Sequence, residues 1–189
     1  MSKKKDIYSG AMQLFVEKGF AASVNELIDR IGIAKGTLYH HISSKEQLII
    51  DIYKQLMFEV EEQCVNILTD DQKENTKQVF SGIVKWFITH PTKFYYINVF
   101  ESSPYMKLHF GLVDETKDGP RRFIMQKVNM GILKAYKTDM IAFFDFAFTR
   151  ATANYFLSLP KPLKSFQDEF DKAFDMYWDG VANKQISRS

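Results

Sequence analysis

The chain has 189 residues, 46% of them hydrophobic, enough to build a core, and its longest apolar-rich stretch, Met140 to Phe148, is too short to span a bilayer and is broken by Asp145. The lone cysteine, Cys64, excludes an intrachain disulfide, and MSKKKDIYSG has no apolar run behind its lysines, so no signal peptide and a cytoplasmic setting without membrane are expected. Net charge is only +2, all of it in residues 1–50, where seven Lys or Arg face five Asp or Glu, a weak hint of a polyanionic partner for that end.

In chain order, Lys5 to Lys18 places Ile7, Ala11, Leu14 and Phe15 on one helical face, and Gly19 stops the helix. Ser23 with Glu26 three residues later forms a capping box, so a second helix starts there and carries Val24, Leu27, Ile28 and Ile31 at helical spacing. Gly32 stands where a helix end needs positive φ, and Ile33 and Leu38 supply the apolar contacts of a third helix. Two short helices about a tight turn, the second bearing Lys, Thr, Tyr and two His, read as a helix-turn-helix whose partner is duplex DNA. Ser43 or Ser44 then caps a long fourth helix that runs to about Leu68 on an apolar stripe of Leu48, Ile49, Ile52, Leu56, Val60 and Ile67.

The polar run Thr69 to Asn75 is the expected loop at the domain boundary. Beyond it the period stays helical: Thr76 to His90, Pro91 to Ser102, Tyr105 to Glu115, Pro120 to Tyr136, Thr138 to Leu159 and Ser165 to Asn183. No alternating strand pattern or hairpin signal occurs. The fold expected is all-α: a helix-turn-helix domain over 1–50, a fourth helix over 44–68 linking the domains, and a second helical domain over 51–189.

A recognition helix offers polar side chains to base edges from its first turns while its other face stays packed. Lys35, Thr37 and His40 suit the groove, with Lys35 able to donate to guanine, and Leu38 and Ile42 point inward. Gly36 removes a side chain that would hold the backbone away from DNA. Tyr39, His41 and Lys45 are better placed for phosphates. His40 and His41 make a poor zinc site, since adjacent helical residues diverge by about 100° and no third ligand sits at the right spacing, so neither metal nor cofactor is expected. An enzyme is disfavoured too: there is no phosphate-binding glycine loop, and Cys64 has no nearby His to activate it.

On AMQLFVEKGF (Ala11 to Phe20), the Ser23 to Glu26 cap and above all IGIAKGTLYHHISSKEQLI (Ile31 to Ile49), the first ~55 residues resemble the DNA-binding domain of the tetracycline-repressor (TetR) family of bacterial regulators. The resemblance implies a three-helix DNA-binding domain, a larger effector-binding domain, a homodimer formed mainly by the last two helices, and repression relieved by a small ligand. Carried over by position, Lys35, Gly36, Thr37 and His40 would contact bases or groove, and Ser23, Tyr39, His41 and Lys45 phosphates. Three departures stand out. The link after Gly19 is one residue short, Ile28 and Ile31 replace the family's frequent alanines, and Ala34 opens the recognition helix where Ser or Thr is common.

Aromatics make up 15% of the chain and crowd the part beyond Asp71, where they suit either a packed bundle or a roomy apolar pocket. The residues expected to line such a pocket for a small effector are Trp86, Phe94, Asn98, Glu101, His109, Phe123, Asn129, Phe144 and Phe148. Asp145 and Asn154 are further polar residues within apolar runs. The last helix carries a wide stripe, Phe166, Phe170, Ala173, Phe174, Tyr177, Trp178 and Val181, and the helix before it is apolar on nearly every side. A homodimer through these two helices is expected. The alternatives are an effector-independent DNA-binding adaptor and a transcriptional activator.

Overall fold

The structure, a computed structural model, describes residues 3–63, 69–110, 127–160 and 166–183, the side chains at 109, 110, 138, 139 and 166 excepted. Its elements are α1 (Lys3–Lys18), α2 (Val24–Ile31), α3 (Lys35–His41), α4 (Lys45–Glu62), α5 (Gln72–Thr89), α6 (Pro91–Glu101), α7 (Pro104–Phe110), α8 (Thr138–Ser158) and α9 (Phe166–Val181). The all-α expectation holds. The chain divides into two compact units, residues 1–58 with 90–114, and residues 59–89 with 115–189.

In the first unit, α1 buries Ile7, Tyr8, Ala11, Leu14 and Phe15. Ser23 accepts a hydrogen bond from the Glu26 backbone at 3.2 Å while the Glu26 carboxylate accepts from the Ser23 backbone at 2.8 Å, the reciprocal pair that satisfies two free donors at the start of α2. Gly32 ends α2 at φ 67° and bonds back to the Ile28 carbonyl, as a left-handed C-cap does. The unusual Ile31 has a structural counterpart: a Cβ on Gly10 would lie 2.7 Å from Ile31 Cγ1, so α1 and α2 fit because the bulk on one faces a missing side chain on the other. Of the two serines ahead of α4, Ser44 is the cap, its hydroxyl accepting from the Gln47 backbone at 3.0 Å. Leu48, Ile49, Ile52, Leu56 and Val60 of the α4 stripe are buried and Tyr53 joins them, while Ile67 and the expected end of the helix near Leu68 lie outside the described residues. Phe94, Tyr96, Ile97 and Phe100 of α6 are fully buried.

The second unit is centred on Phe80 and Val84 of α5, Ile141 and Phe156 of α8, and Phe170, Phe174, Tyr177 and Trp178 of α9. Three expected boundaries are corrected here. The loop expected to end at Asn75 stops at Asp71, because the Asp71 carboxylate accepts from the backbone of Lys73 and Glu74 and starts α5 early, with Asn75 buried and tied to Thr69. The helix expected to continue to Tyr136 breaks instead at Gly131, φ 75°. The following residues pair with the end of α9, Lys134 donating to the Val181 carbonyl and Asn183 to that of Ile132. That pairing also ends α9 at Val181 rather than Asn183. The expected helices over Pro120 to Tyr136 and Tyr105 to Glu115 fall partly outside the described residues.

Candidate nucleic-acid interface

The turn at Gly32 and the buried Leu38 and Ile42 fix which side of α3 is presented to solvent. Leu38 is fully enclosed, so the residues on the far side of that turn must face out. Lys35, Gly36, Tyr39 and His40 are exposed, and Thr37 and His41 half-buried. The two imidazoles meet edge to face, 5.2 Å between centroids. Ala34 caps α3 with extended backbone and no side-chain bond.

Gly36 has nothing within 4 Å of an added Cβ, and its φ is not in the left-handed region. Neither packing nor backbone geometry requires glycine there. Its absent side chain instead leaves the outer surface of α3 flat beside Lys35.

Charge around α3 is sorted by ion pairs. Lys18 donates to Glu26 at 2.6 Å, and Arg30 grips Glu17 with two guanidinium nitrogens. The Lys18 ammonium and the Ser23 bonds hold the Glu26 carboxyl down to about 2. Lys35 faces no such acid among the described residues, so its charge is the one directed outward from the recognition helix. Ser23 is exposed, with its hydroxyl engaged by Glu26. Lys45 is half-buried and donates to the Ala22 carbonyl at 2.8 Å, tying the first turn of α4 to the residue before the α2 cap. Sequence reasoning missed that tie, since it depends on a backbone carbonyl 23 positions away.

The residues expected to line an effector pocket are drawn from both units. Phe94, Asn98 and Glu101 lie on α6 in the first unit, where Phe94 is fully buried and Tyr53 donates to Glu101 at 3.4 Å. Trp86, Asn129, Phe144 and Phe148 lie in the second unit. There Trp86 is buried, Phe148 packs against the core beside Phe80 and Tyr177, and Asn129 and Phe144 are exposed. The side chain of His109, and Phe123, lie outside the described residues. What the second unit does hold is a buried polar group. The Tyr177 hydroxyl donates to Asp145, and the Lys127 ammonium, itself bonded to the Thr76 hydroxyl, acts electrostatically on the same carboxyl. Lys127 went unremarked in the sequence because nothing local marks a lysine for burial.

The wide stripe of α9 is engaged inside its own unit, where Phe170, Phe174, Tyr177, Trp178 and Val181 are buried. Among the described residues of the second unit, α8 carries the largest share of exposed apolar side chains, Met140, Phe143, Phe144 and Tyr155, and Ala151 on the same helix is exposed too.

Residues 7–52 match the family model described as bacterial regulatory proteins, tetR family. Over nearly its whole length the chain is 23% identical to the transcriptional activator FasR of Mycolicibacterium smegmatis, a match of 194 residues that takes in 99% of this chain and 86% of FasR. The KstR2 transcriptional repressor of the same organism is 32% identical over 57 residues, 30% of this chain and 28% of KstR2. The chain thus spans less than a third of the length of some of the curated relatives it matches. Among solved structures, a TetR-family regulator from Shewanella sp. PV-4 superposes with a TM-score of 0.81 at 24% identity, covering 97% of this chain and all of the other.

Proposed function

The chain belongs to the tetR family of bacterial regulatory proteins, and from that premise we propose a homodimeric repressor that a small apolar or aromatic ligand releases from a pseudo-palindromic operator. It is a DNA-binding transcriptional regulator and not an enzyme. The observation that carries the reading is the division of α3, with Leu38 sealed inside while Lys35, Tyr39 and His40 stand out from a surface left flat at Gly36. Lys35, Gly36, Thr37 and His40 read bases or groove, and Ser23, Tyr39, His41 and Lys45 hold phosphates. Residues 1–50 form the DNA-binding domain and 51–189 the ligand-binding and dimerisation domain, in the cytoplasm with the DNA. No described helix is long and apolar enough to cross a membrane.

Support for the homodimer comes from the exposed row on α8, where Met140, Phe143, Phe144, Ala151 and Tyr155 recur at helical spacing with little to cover them in the single chain. Two recognition helices then enter major grooves about 34 to 36 Å apart. For a ligand to take the dimer from mostly bound to mostly free it must favour the released form by about 10⁴. The aromatic content of the second unit suits an apolar ligand.

The test is a mobility-shift assay on a duplex that the protein itself enriches from genomic fragments, followed by titration with fatty acids, steroids and aromatic compounds. Release by one class is the expected result; a complex that none displaces counts against ligand release, and no retained duplex against DNA binding itself. Activation is the second reading, favoured by the end-to-end match to FasR, a named activator. The position of the bound site relative to the promoter separates the two.

A further inference from the structure

The first helix of a helix-turn-helix crosses the phosphate backbone, so charges carried at the start of α2 bear on DNA. There the Glu26 carboxylate accepts from the Ser23 backbone N–H at 2.8 Å, from the Ser23 hydroxyl at 3.0 Å and from the Lys18 ammonium at 2.6 Å. The two Ser23 bonds belong to the cap and fix the carboxylate whatever Lys18 does. Lys18 and those bonds together keep it ionised down to about 2, so no proton neutralises it as a phosphate approaches. Lys18 stands in the last turn of α1 and is held differently. Its ammonium meets Glu26 through one contact, its side chain is 53% exposed, and its four-carbon stem is flexible. Lys45 borders the same cap through the Ala22 carbonyl, at 2.8 Å.

We propose that Lys18 is a further phosphate-contacting residue and that Glu26 limits DNA affinity, its fixed carboxylate competing with a backbone phosphate for the Lys18 ammonium. This rests on the DNA-binding reading above. An exposed ion pair contributes little, so the lysine leaves it at small cost, and counterion release from the phosphate favours the exchange. The capping carboxylate then stays behind as a like charge beside the duplex. Arg30 and Glu17 differ, because two guanidinium nitrogens grip that carboxylate from the last turn of α2 and keep the arginine engaged. Were the Lys18–Glu26 pair only a brace between α1 and α2, losing either partner would change affinity in the same direction. A contact and its competitor change it in opposite directions.

The test is affinity for the enriched duplex measured across a salt series, with urea unfolding of each variant beside it. Lys18→Gln is expected to weaken binding to all sequences alike and to lower the slope of log affinity against log salt by about one. Glu26→Gln keeps an acceptor for the cap, since glutamine serves at that position too, and should tighten binding by about two- to fivefold, the size of one exposed like-charge interaction. The double variant should show the lowered slope of Lys18→Gln. Both single variants should unfold close to the wild type. Glu17→Gln makes the same charge change one residue from Lys18 and should tighten binding less than Glu26→Gln. The inference is overturned if Lys18→Gln leaves the slope unmoved, if Glu26→Gln weakens binding, or if Glu17→Gln tightens it equally, which would mark a general effect of net charge. A wild-type chain that retains no duplex overturns the DNA-binding reading itself, and this inference with it; retention with an unmoved slope overturns this inference alone.

Discussion

The hydroxyl of Tyr177 on α9 donates a hydrogen bond to the carboxylate of Asp145 on α8, inside the aromatic core of the second unit. Part of the Asp145 residue reaches solvent, but its carboxyl group is enclosed, and this burial outweighs the Tyr177 bond and the Lys127 charge and raises its pKa to about 6. An acid with a raised pKa in the folded state is harmless below its unfolded value and costs stability as pH rises through the folded one. The window therefore lies between about 4 and about 6, and above it the buried charge costs about 3 kcal/mol.

Asp145→Asn keeps an acceptor for Tyr177 and carries no charge. It should gain up to about 3 kcal/mol over the wild type at pH 7.5, the gain vanishing by about pH 4. Urea unfolding of both proteins across this range checks it. The difference between the two curves is the readout, because Glu26, held down to about 2, pulls the other way: its stabilisation is complete above about 4.5 and fades as pH falls toward 2.

Gly36→Ala should move stability and binding in opposite directions. The added methyl meets nothing within 4 Å and the backbone is not left-handed, so the isolated protein should become more stable by about 0.5 to 1 kcal/mol. Duplex binding should weaken, since the methyl stands on the face offered to the groove. Thermal melts beside a mobility shift measure both; tighter or unchanged binding would contradict the role given to this glycine.

Lys35→Ala should lower affinity for the enriched duplex by about 1 to 3 kcal/mol and relax the preference at one base position, with little change in folding. The lysine is exposed and engages no acid among the described residues, so its removal leaves no buried charge behind. Comparing variant and wild type against a set of single-base duplex substitutions distinguishes a base contact from a phosphate contact, which would weaken all sequences alike.

Leu38→Ala removes a fully buried side chain between α3 and the rest of its unit and should destabilise that unit by about 2 to 5 kcal/mol. DNA binding should fall with it, because Leu38 is the most deeply buried of the groups that aim the outer residues of α3. Denaturant midpoints followed by circular dichroism give the value.

Phe143→Glu with Phe144→Glu places two charges in the exposed row of α8. Both rings point to solvent in the single chain, so the folded subunit should tolerate the change while the dimer dissociates. Sedimentation equilibrium at micromolar concentration should show a dimer for the wild type and a monomer for the variant.

The first unit was largely legible because its signals are local. The Ser23 to Glu26 box, Gly19 and Gly32 act within one helical turn, and the alternation of Leu38 with Lys35, Thr37 and Tyr39 follows from 3.6 residues per turn. The same locality explains the early start of α5, where Asp71 is a cap that the uniformly polar run around it masks. Where the aromatic side chains would pack was less legible. Phe94 and Trp86 carry the same apolar signal, yet one is buried in the first unit and the other in the second.

Residue order alone thus determined the helices, their caps and the outward face of α3, since each depends on groups a few positions apart whose geometry the backbone period imposes. Tertiary structure decided that Tyr96 meets Ile49, that Lys45 reaches Ala22, that Lys127 and Asp145 share a buried setting, and that α8 rather than α9 leaves its rings in water. Those outcomes depend on which of several equally apolar faces find partners. That choice is made by shape and total burial across the whole unit, and no local pattern records it.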